Sequence, residues 1–339
     1  MSTVFVTGGS GFLGSRLVPK LVSDGYEVRA LARSSRAEQI LLERGAVPVT
    51  ADLTDVGSLS TAMSGCNRVI HAAARLHEGG PRATFHRDNV VGTQNVLAGA
   101  KDAGVERFVM VGAAMCLLGG RPINGADESW PLNEPKYSAY ASTKTIADRA
   151  VRAANRDGFA TCVVRPGWIW GNGDPILGAI VKAASVGKMR LIEGGEYLIE
   201  TSHVDNTVHA IALALERGRG GEAYYVFDDG NVSIKDFIGD CLNAIGMERP
   251  TKSVSRRAAW VVGTLMDGAW SVFRRPGTPP LSRLMVALNG APFLVLDTKA
   301  RSELGYKPVI ARAEGILRLA DTQLKASSAD AVASATLGA

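Results

Sequence analysis

The stretch Thr7-Gly8-Gly9-Ser10-Gly11-Phe12-Leu13-Gly14 stands between two segments of opposite periodicity. Before it, Val4–Thr7 is an apolar run short enough for a buried strand. After it, from Gly11, the residues Phe12, Leu13, Leu17, Leu21 and Val22 recur at helical spacing until Gly25 supplies a stop. Strand, glycine turn and amphipathic helix in that order make a βα unit. Gly9, Gly11 and Gly14 fall in the pattern G-x-G-x-x-G. Small residues at these places permit the tight turn, close backbone approach to a pyrophosphate, and packing of helix on strand. The helix N-terminus adds free N–H groups and the positive end of its dipole. Gly8, Gly9, Ser10, Gly11, Phe12, Leu13 and Gly14 therefore read as a cradle for a dinucleotide. No G-K-[ST] ending follows, which excludes a nucleoside-triphosphatase loop.

The same alternation continues outward. Strands are predicted at Glu27–Leu31, Ala46–Thr50, Val69–His71, Arg107–Val111 and Thr161–Val164. Helices are predicted at Ala37–Arg44, Asn89–Ala103 and Ala139–Asn155. Parallel strands joined by crossover helices give an α/β fold, a Rossmann doubly wound sheet, over residues 1–170. Beyond Gly171 the rhythm breaks, with loops expected at Gly187–Gly195, Arg217–Gly221 and Arg275–Pro280. Residues 171–310 are expected to form a smaller, discontinuous substrate-binding portion, with a segment at about 200–217 returning to the main sheet. Residues 325–339, rich in Ala and Ser, read as a flexible tail.

The 339 residues are 46% hydrophobic and 21% charged, ordinary for a folded chain with a real core. The net charge of +5 is scattered, and no zinc-finger or RNA-binding signature accompanies it, so nucleic acid is not an expected partner. Cys66, Cys116, Cys162 and Cys241 are far apart and contain no C-x-x-C pair; neither a metal site nor a disulfide framework is expected. No secretory signal is read at Met1, and the expected location is cytoplasmic.

The identity of the cofactor turns on the end of the second strand. NAD sites place a carboxylate there, on the ribose 2′-hydroxyl. This chain has Ala32, followed by Arg33 and, nearby, Arg36. A guanidinium fork suits a 2′-phosphate, so NADPH (NADP+) is expected over NAD. Asp52, followed by Leu53, is placed to meet the adenine.

Tyr140-Ala141-Ser142-Thr143-Lys144 sets a phenol and an ammonium four residues apart, on one face of a predicted helix. A phenol is a poor proton donor near neutrality until an adjacent cation lowers its pKa. It can then give a proton to a carbonyl oxygen as hydride arrives from a nicotinamide. Tyr137 has Ala141 four residues on and lacks that partner. Tyr140 and Lys144 are the candidate catalytic residues.

With both motifs present, the chain resembles the extended short-chain dehydrogenase/reductase superfamily, also called the NAD-dependent epimerase/dehydratase superfamily, along nearly its whole length. Val69-Ile70-His71-Ala72-Ala73-Ala74 is similar to the fourth-strand cofactor segment, and Asn89-Val90-Val91-Gly92-Thr93 to the helix motif with a structural asparagine. Arg165-Pro166-Gly167-Trp168-Ile169-Trp170-Gly171 resembles the element beside the nicotinamide. His203-Val204-Asp205-Asn206 and Leu304-Gly305-Tyr306-Lys307-Pro308 resemble two further family segments. The resemblance implies cofactor contacts from Ala72, Ala73, Ala74, Asn89, Pro166 and Gly167, besides Tyr140 and Lys144 themselves. It implies substrate contacts from Ala113, Ala114, Met115 and Trp168; His71 reads as packed. Within the superfamily, Gly119–Glu128 and Pro280–Arg283 are most similar to the 3β-hydroxysteroid dehydrogenase group and its bacterial lipid-ketone reductase relatives. One departure stands out. The family's usual serine after the fifth strand falls on Ala113 or Ala114, leaving water, Ser138, Asn124 or the substrate itself to supply a second donor.

Ala258–Phe273 is apolar with helical spacing and is followed by Arg274 and Arg275. It reads as a core helix, as a lid over a lipid pocket, or as an interfacial helix making peripheral contact with the inner membrane through 258–275. The resulting expectation is an NADPH-dependent reductase of a ketone on a bulky lipid: a 3-oxosteroid, a 2-alkyl-3-oxoalkanoate, or a 3-oxo-ceramide (sphingolipid) precursor. The alternatives are a sugar-nucleotide epimerase or dehydratase retaining NAD, and a non-catalytic NADP-binding sensor. A homodimer is the common state among relatives.

Overall fold

In a computed structural model the described residues are 2–76, 80–273 and 279–321. Seven strands form one parallel sheet: β1 (Thr3–Thr7), β2 (Glu27–Ala32), β3 (Val47–Thr50), β4 (Arg68–His71), β5 (Arg107–Val111), β6 (Ala160–Pro166) and β7 (Ala223–Val226). Their spatial order is 3-2-1-4-5-6-7, and every neighbouring pair is parallel. The strand order reverses beside β1, so the chain leaves β1 and β4 toward opposite faces of the sheet and opens the crevice where such sheets bind ligands. This is the Rossmann arrangement the sequence leads one to expect.

Both faces of the sheet are covered. On one side, helix Gly14–Ser23 and helix Val204–Arg217 bury Leu17, Val18, Leu21, Val208, Ile211 and Leu215 against β1, β5 and β6. On the other, helices Val56–Met63, Gly92–Asp102 and Ala139–Ala153 bring Leu59, Met63, Val96, Ala100, Ala147 and Val151 to a second apolar layer. Strands covered on both faces explain why β1 and β5 read as continuous apolar runs rather than alternating ones.

Several boundaries differ from the expectations. The first helix begins at Gly14, not Gly11, because Gly8–Leu13 are used in the turn, closed by Gly11 N donating to Gly8 O at 3.1 Å. Helix Val56–Met63 was not anticipated. Gly57, Ser58, Ser60 and Thr61 dilute its apolar pattern, and its start depends on Asp55 accepting from Gly57 N at 2.9 Å. The helix expected from Asn89 starts earlier, with a π-helical turn at His86–Val91 that runs into Gly92–Asp102. The segment returning to the main sheet extends past 217 to β7. The expected loop at Gly187–Gly195 contains a short strand, Leu191–Ile192, paired in parallel with Ser253–Val254. Residues 325–339, with Arg274 and Arg275, lie outside the described residues.

The remaining C-terminal elements form small sheets above the crevice. Phe293–Val295 pairs with Ile123–Ala126, and Thr201–His203 with Trp168–Trp170. Asp228, just after β7, ties the second of these pairs to the main sheet. Its Oδ1 accepts from His203 N and Asn206 Nδ2, both at 2.7 Å; its Oδ2 accepts from Trp170 Nε1 at 2.7 Å and Thr201 Oγ1 at 2.8 Å. Asn206 Oδ1 accepts from Val309 N and Ile310 N at 2.8 Å, and Tyr306 OH donates to Phe227 O at 2.9 Å. A buried carboxylate with four donors has its lone pairs satisfied, which offsets the desolvation of its charge.

Candidate active site

The glycine turn is shaped by contacts that admit no side chain. A Cβ on Gly14 would lie 2.2 Å from Gly9 O, and one on Gly8 would lie 2.8 Å from the Ala72 carbonyl carbon and from Ala73 N. Gly8 also has φ +77°, a left-handed conformation that favours glycine. Thr7 holds the facing strand ends together: its carbonyl accepts from Ala72 N at 3.2 Å and its Oγ1 from Ala73 N at 3.1 Å. Arg44, which sequence reasoning missed, reaches under the turn and donates to Gly9 O at 2.5 Å and Gly11 O at 3.2 Å. Only the third dimension brings it there, from 35 residues away.

Beside the turn lies a cavity of about 190 Å³ lined by Gly8, Ser10, Leu31, Arg33, Ser34, Ala37, Leu53 and Ala73. Backbone amides, an apolar floor and one guanidinium are a donor set that fits the adenosine end of a dinucleotide. Arg36 is exposed in the first turn of helix Ser35–Glu43 and is not part of this lining. Asp52 accepts from Thr54 N at 2.8 Å, a local turn that holds its carboxyl below the ordinary value.

Helix Ala139–Ala153 carries the tyrosine and lysine. Ser138 caps it, accepting from Ala141 N at 3.0 Å, so this hydroxyl fixes the helix start just before Tyr140. Tyr140 and Lys144 are both buried, and Lys144 Nζ donates to Val111 O at 2.6 Å, at the end of β5. Burial lowers the Lys144 pKa, with Cys116 and Asp148 acting in the opposite sense. Asn89 Nδ2 donates to Thr143 Oγ1 at 3.1 Å and to Arg75 O at 3.2 Å, while its Oδ1 accepts from Arg75 N at 2.7 Å. It thereby joins the segment after β4 to the tyrosine helix. His71 is buried between Thr7 Oγ1 (2.7 Å) and Thr93 Oγ1 (2.9 Å); burial first, then Lys144, brings its pKa down to about 3. It is a packed, neutral ring.

One turn beyond Lys144, Asp148 forms a two-point pair with Arg165 of β6, at 2.7 and 2.8 Å, both side chains fully buried. Arg165 also donates to Tyr225 OH at 3.2 Å and lies 5.2 Å from the centre of that ring. The motif Arg165-Pro166-Gly167 is therefore anchored directly to the tyrosine helix. At its end, Gly167 N donates to Ser202 Oγ at 2.9 Å, and a Cβ at Gly167 would lie 2.2 Å from Glu200 O.

On the side away from the turn, Tyr140 belongs to an apolar cluster with Phe85, Ala114, Leu117, Leu118, Phe227, Leu284 and Phe293, with Met115 packed against it. Ala113 is buried at the start of the 3-10 turn Ala114–Leu117. Trp168 sits elsewhere, edge-on to Phe237 at 5.1 Å, with its Nε1 donating to Asp174 at 2.9 Å. Of the side chains considered as stand-ins for serine, Ser138 caps the tyrosine helix and Asn124 is exposed on the strand Ile123–Ala126.

The comparisons with known proteins agree with this layout. The chain is 39% identical to a 4-hydroxy-2-methyl-3-oxo-4-farnesyl-3,4-dihydroquinoline-1-oxide ketoreductase of Stigmatella aurantiaca, over 92% of this chain and 94% of that one. It is 33% identical to a 2-alkyl-3-oxoalkanoate reductase of Stenotrophomonas maltophilia, over 96% and 99% of the two chains. A dTDP-glucose 4,6-dehydratase of Streptomyces venezuelae, solved with NAD bound, superposes with a TM-score of 0.72 at 26% identity, covering 94% of this chain and 96% of the other. Residues 5–256 match the model of the 3-beta hydroxysteroid dehydrogenase/isomerase family. With the glycine cradle, the tyrosine and lysine and the sheet order all in place, the chain belongs to that family, a group of NAD(P)-dependent oxidoreductases of the extended short-chain dehydrogenase/reductase kind.

Proposed function

We propose that the protein reduces a ketone on a bulky lipid to a secondary alcohol, using NADPH. The observation that carries this reading is the setting of Tyr140: Lys144 follows one helix turn later, and the tyrosine packs in a wall of hydrocarbon with Phe85, Ala114, Leu118 and Leu284. Such a wall favours an apolar chain or ring system over a sugar diphosphate, which calls for fixed cations. The names of the two curated relatives, both ketone reductases, support the same class. A 3-oxosteroid, a 2-alkyl-3-oxoalkanoate and a 3-oxo-sphingolipid are the candidates.

Gly8–Gly14, Ala72–Ala74, Asn89, Pro166 and Gly167 would hold the dinucleotide, and Arg33 with Ser34 would meet a 2′-phosphate at the cavity by β2. The nicotinamide supplies hydride when bound. Tyr140 gives the proton to the ketone oxygen, and the ammonium of Lys144, one turn on, favours the phenolate left behind. The likeness to the NAD-bound dehydratase supports a second reading, a sugar-nucleotide epimerase or dehydratase that consumes no cofactor.

One assay separates them: NADPH fluorescence followed with a panel of lipid ketones and UDP-sugars. Steady consumption with lipid ketones alone is expected. Tyr140→Phe is expected to lower kcat by about 10²–10⁴ while still binding NADPH, and Arg33→Ala to weaken NADPH by about tenfold or more without affecting NADH. Turnover that survives Tyr140→Phe, or UDP-sugar conversion without net oxidation, overturns the reading.

A further inference from the structure

Arg44 follows helix Ser35–Glu43, whose Leu41 packs against the glycine turn: a Cβ on Gly9 would lie 3.0 Å from the Leu41 side chain. That packing carries the partly buried Arg44 beneath the turn, where a single nitrogen, Nη1, donates to both Gly9 O and Gly11 O. Its partners are carbonyls, not a carboxylate. The adjoining Glu43 is exposed and acts on it only through space, so among the described residues no ion pair neutralises the positive charge beneath the turn. Burial outweighs Glu43 and lowers the Arg44 pKa, yet a guanidinium keeps its charge at any physiological pH.

The two bonds set the direction of two peptide groups. The peptide bonds of the described residues are trans, and in a trans peptide the C=O and the following N–H point opposite ways. Holding the carbonyls of Gly9 and Gly11 toward Arg44 therefore turns the N–H groups of Ser10 and Phe12 to the other side of the turn. Ser10 lines the cavity there, and Arg44 does not. Gly11 O also accepts from Ser15 N at 3.0 Å, which aims the same peptide along helix Gly14–Ser23 and its amide outward from the helix start. A cation bonded to each carbonyl polarises the peptide behind it and makes these N–H groups stronger donors.

We propose that Arg44 is a positioning residue for the pyrophosphate of the dinucleotide: from behind the turn it fixes and polarises the amides of Ser10 and Phe12 that face the diphosphate. The inference rests on the dinucleotide-binding part of the proposed function and needs no ketone, so the two can fail separately. It divides the labour between two arginines. Arg33 meets the 2′-phosphate, which NADH lacks; Arg44 serves the diphosphate that NADPH and NADH share.

The test is equilibrium binding to the full chain, of NADPH and NADH by nucleotide fluorescence, and of ADP-ribose and adenosine by calorimetry. Arg44→Gln is expected to weaken NADPH, NADH and ADP-ribose by the same factor, about tenfold, and to leave adenosine unchanged, a split that a general loosening of the fold does not produce. Arg44→Lys keeps the charge on one nitrogen able to meet both carbonyls, and is expected to bind all three within about threefold of the wild type. Four results overturn the proposal: an Arg44→Gln variant that binds ADP-ribose as the wild type does; a loss that extends to adenosine or to folding itself, the mark of a structural brace; a loss confined to NADPH, which moves Arg44 to the 2′-phosphate; or an Arg44→Lys variant no tighter than Arg44→Gln. A wild-type chain that binds NADH and not NADPH overturns the NADPH reading and leaves this one to be decided on NADH and ADP-ribose.

Discussion

Two buried regions flank the tyrosine helix and are built on opposite terms. Below it, Asp148 meets Arg165, and Asp228 gathers three donors from the peripheral strands and a fourth from helix Val204–Arg217. Above it, Tyr140 stands among Ala114, Leu117, Leu118 and Phe85. The first region fixes where backbone segments lie, and directional bonds with full partnership do that well. The second, where the proposed substrate would lie, is made of contacts that any apolar surface can satisfy. A fault in the first region shows as lost stability; a change in the second shows as altered turnover.

The largest expected effect comes from breaking the lower region. Arg165→Met leaves Asp148 buried without its cation and is expected to cost about 3–5 kcal/mol in urea unfolding. Next is a pH effect. Burial, opposed by a bond from Val295 N, pushes the Glu200 carboxyl up to about 7. A raised folded-state pKa stabilises the protein below the unfolded value near 4.5 and loses that contribution as pH rises toward 7. Glu200→Gln is therefore expected to lessen the fall in stability between about pH 4.5 and 7, by on the order of 2–3 kcal/mol, measured as the difference between the two proteins' unfolding curves. The smallest expected effect lies above the helix. Ala114→Ser supplies the missing hydroxyl beside Tyr140 and is expected to raise kcat/KM for ketones by about tenfold or more, with little change in melting temperature. An unchanged rate would place the ketone oxygen away from Ala114.

The sequence made the same regions unequally visible. The glycine cradle and the Tyr140–Lys144 pair are local patterns, spaced by one helix turn or one tight turn, and could be read directly. Arg44 under the cradle, Asp148 with Arg165, and Asp228 with Asn206 join residues 17 to 35 positions apart, and no periodicity announces such pairs. Helix Val56–Met63 escaped because serine, threonine and glycine blur its apolar face, while its cap at Asp55 and its packing on helix Gly92–Asp102 stabilise it. The segment 258–273 was legible as an apolar helix. Which way it faced was not, since buried and exposed stripes have the same spacing until Ala259 is seen packed with Ile192 and Val286, and Gly263 against Ser282.

The bonds from Val309, Ile310 and Tyr306 back to Asn206 and Phe227 also order events in time. As the chain leaves the ribosome, the carbonyl of the Asn206 side chain has no amide to meet until some hundred further residues have emerged. Leu215 and Ile211 likewise wait for Ala300 and Leu304 to cover them. Synthesis must therefore pass Ile310 before the centre of the molecule is sealed, and a product halted short of Tyr306 would present an open seam to proteases.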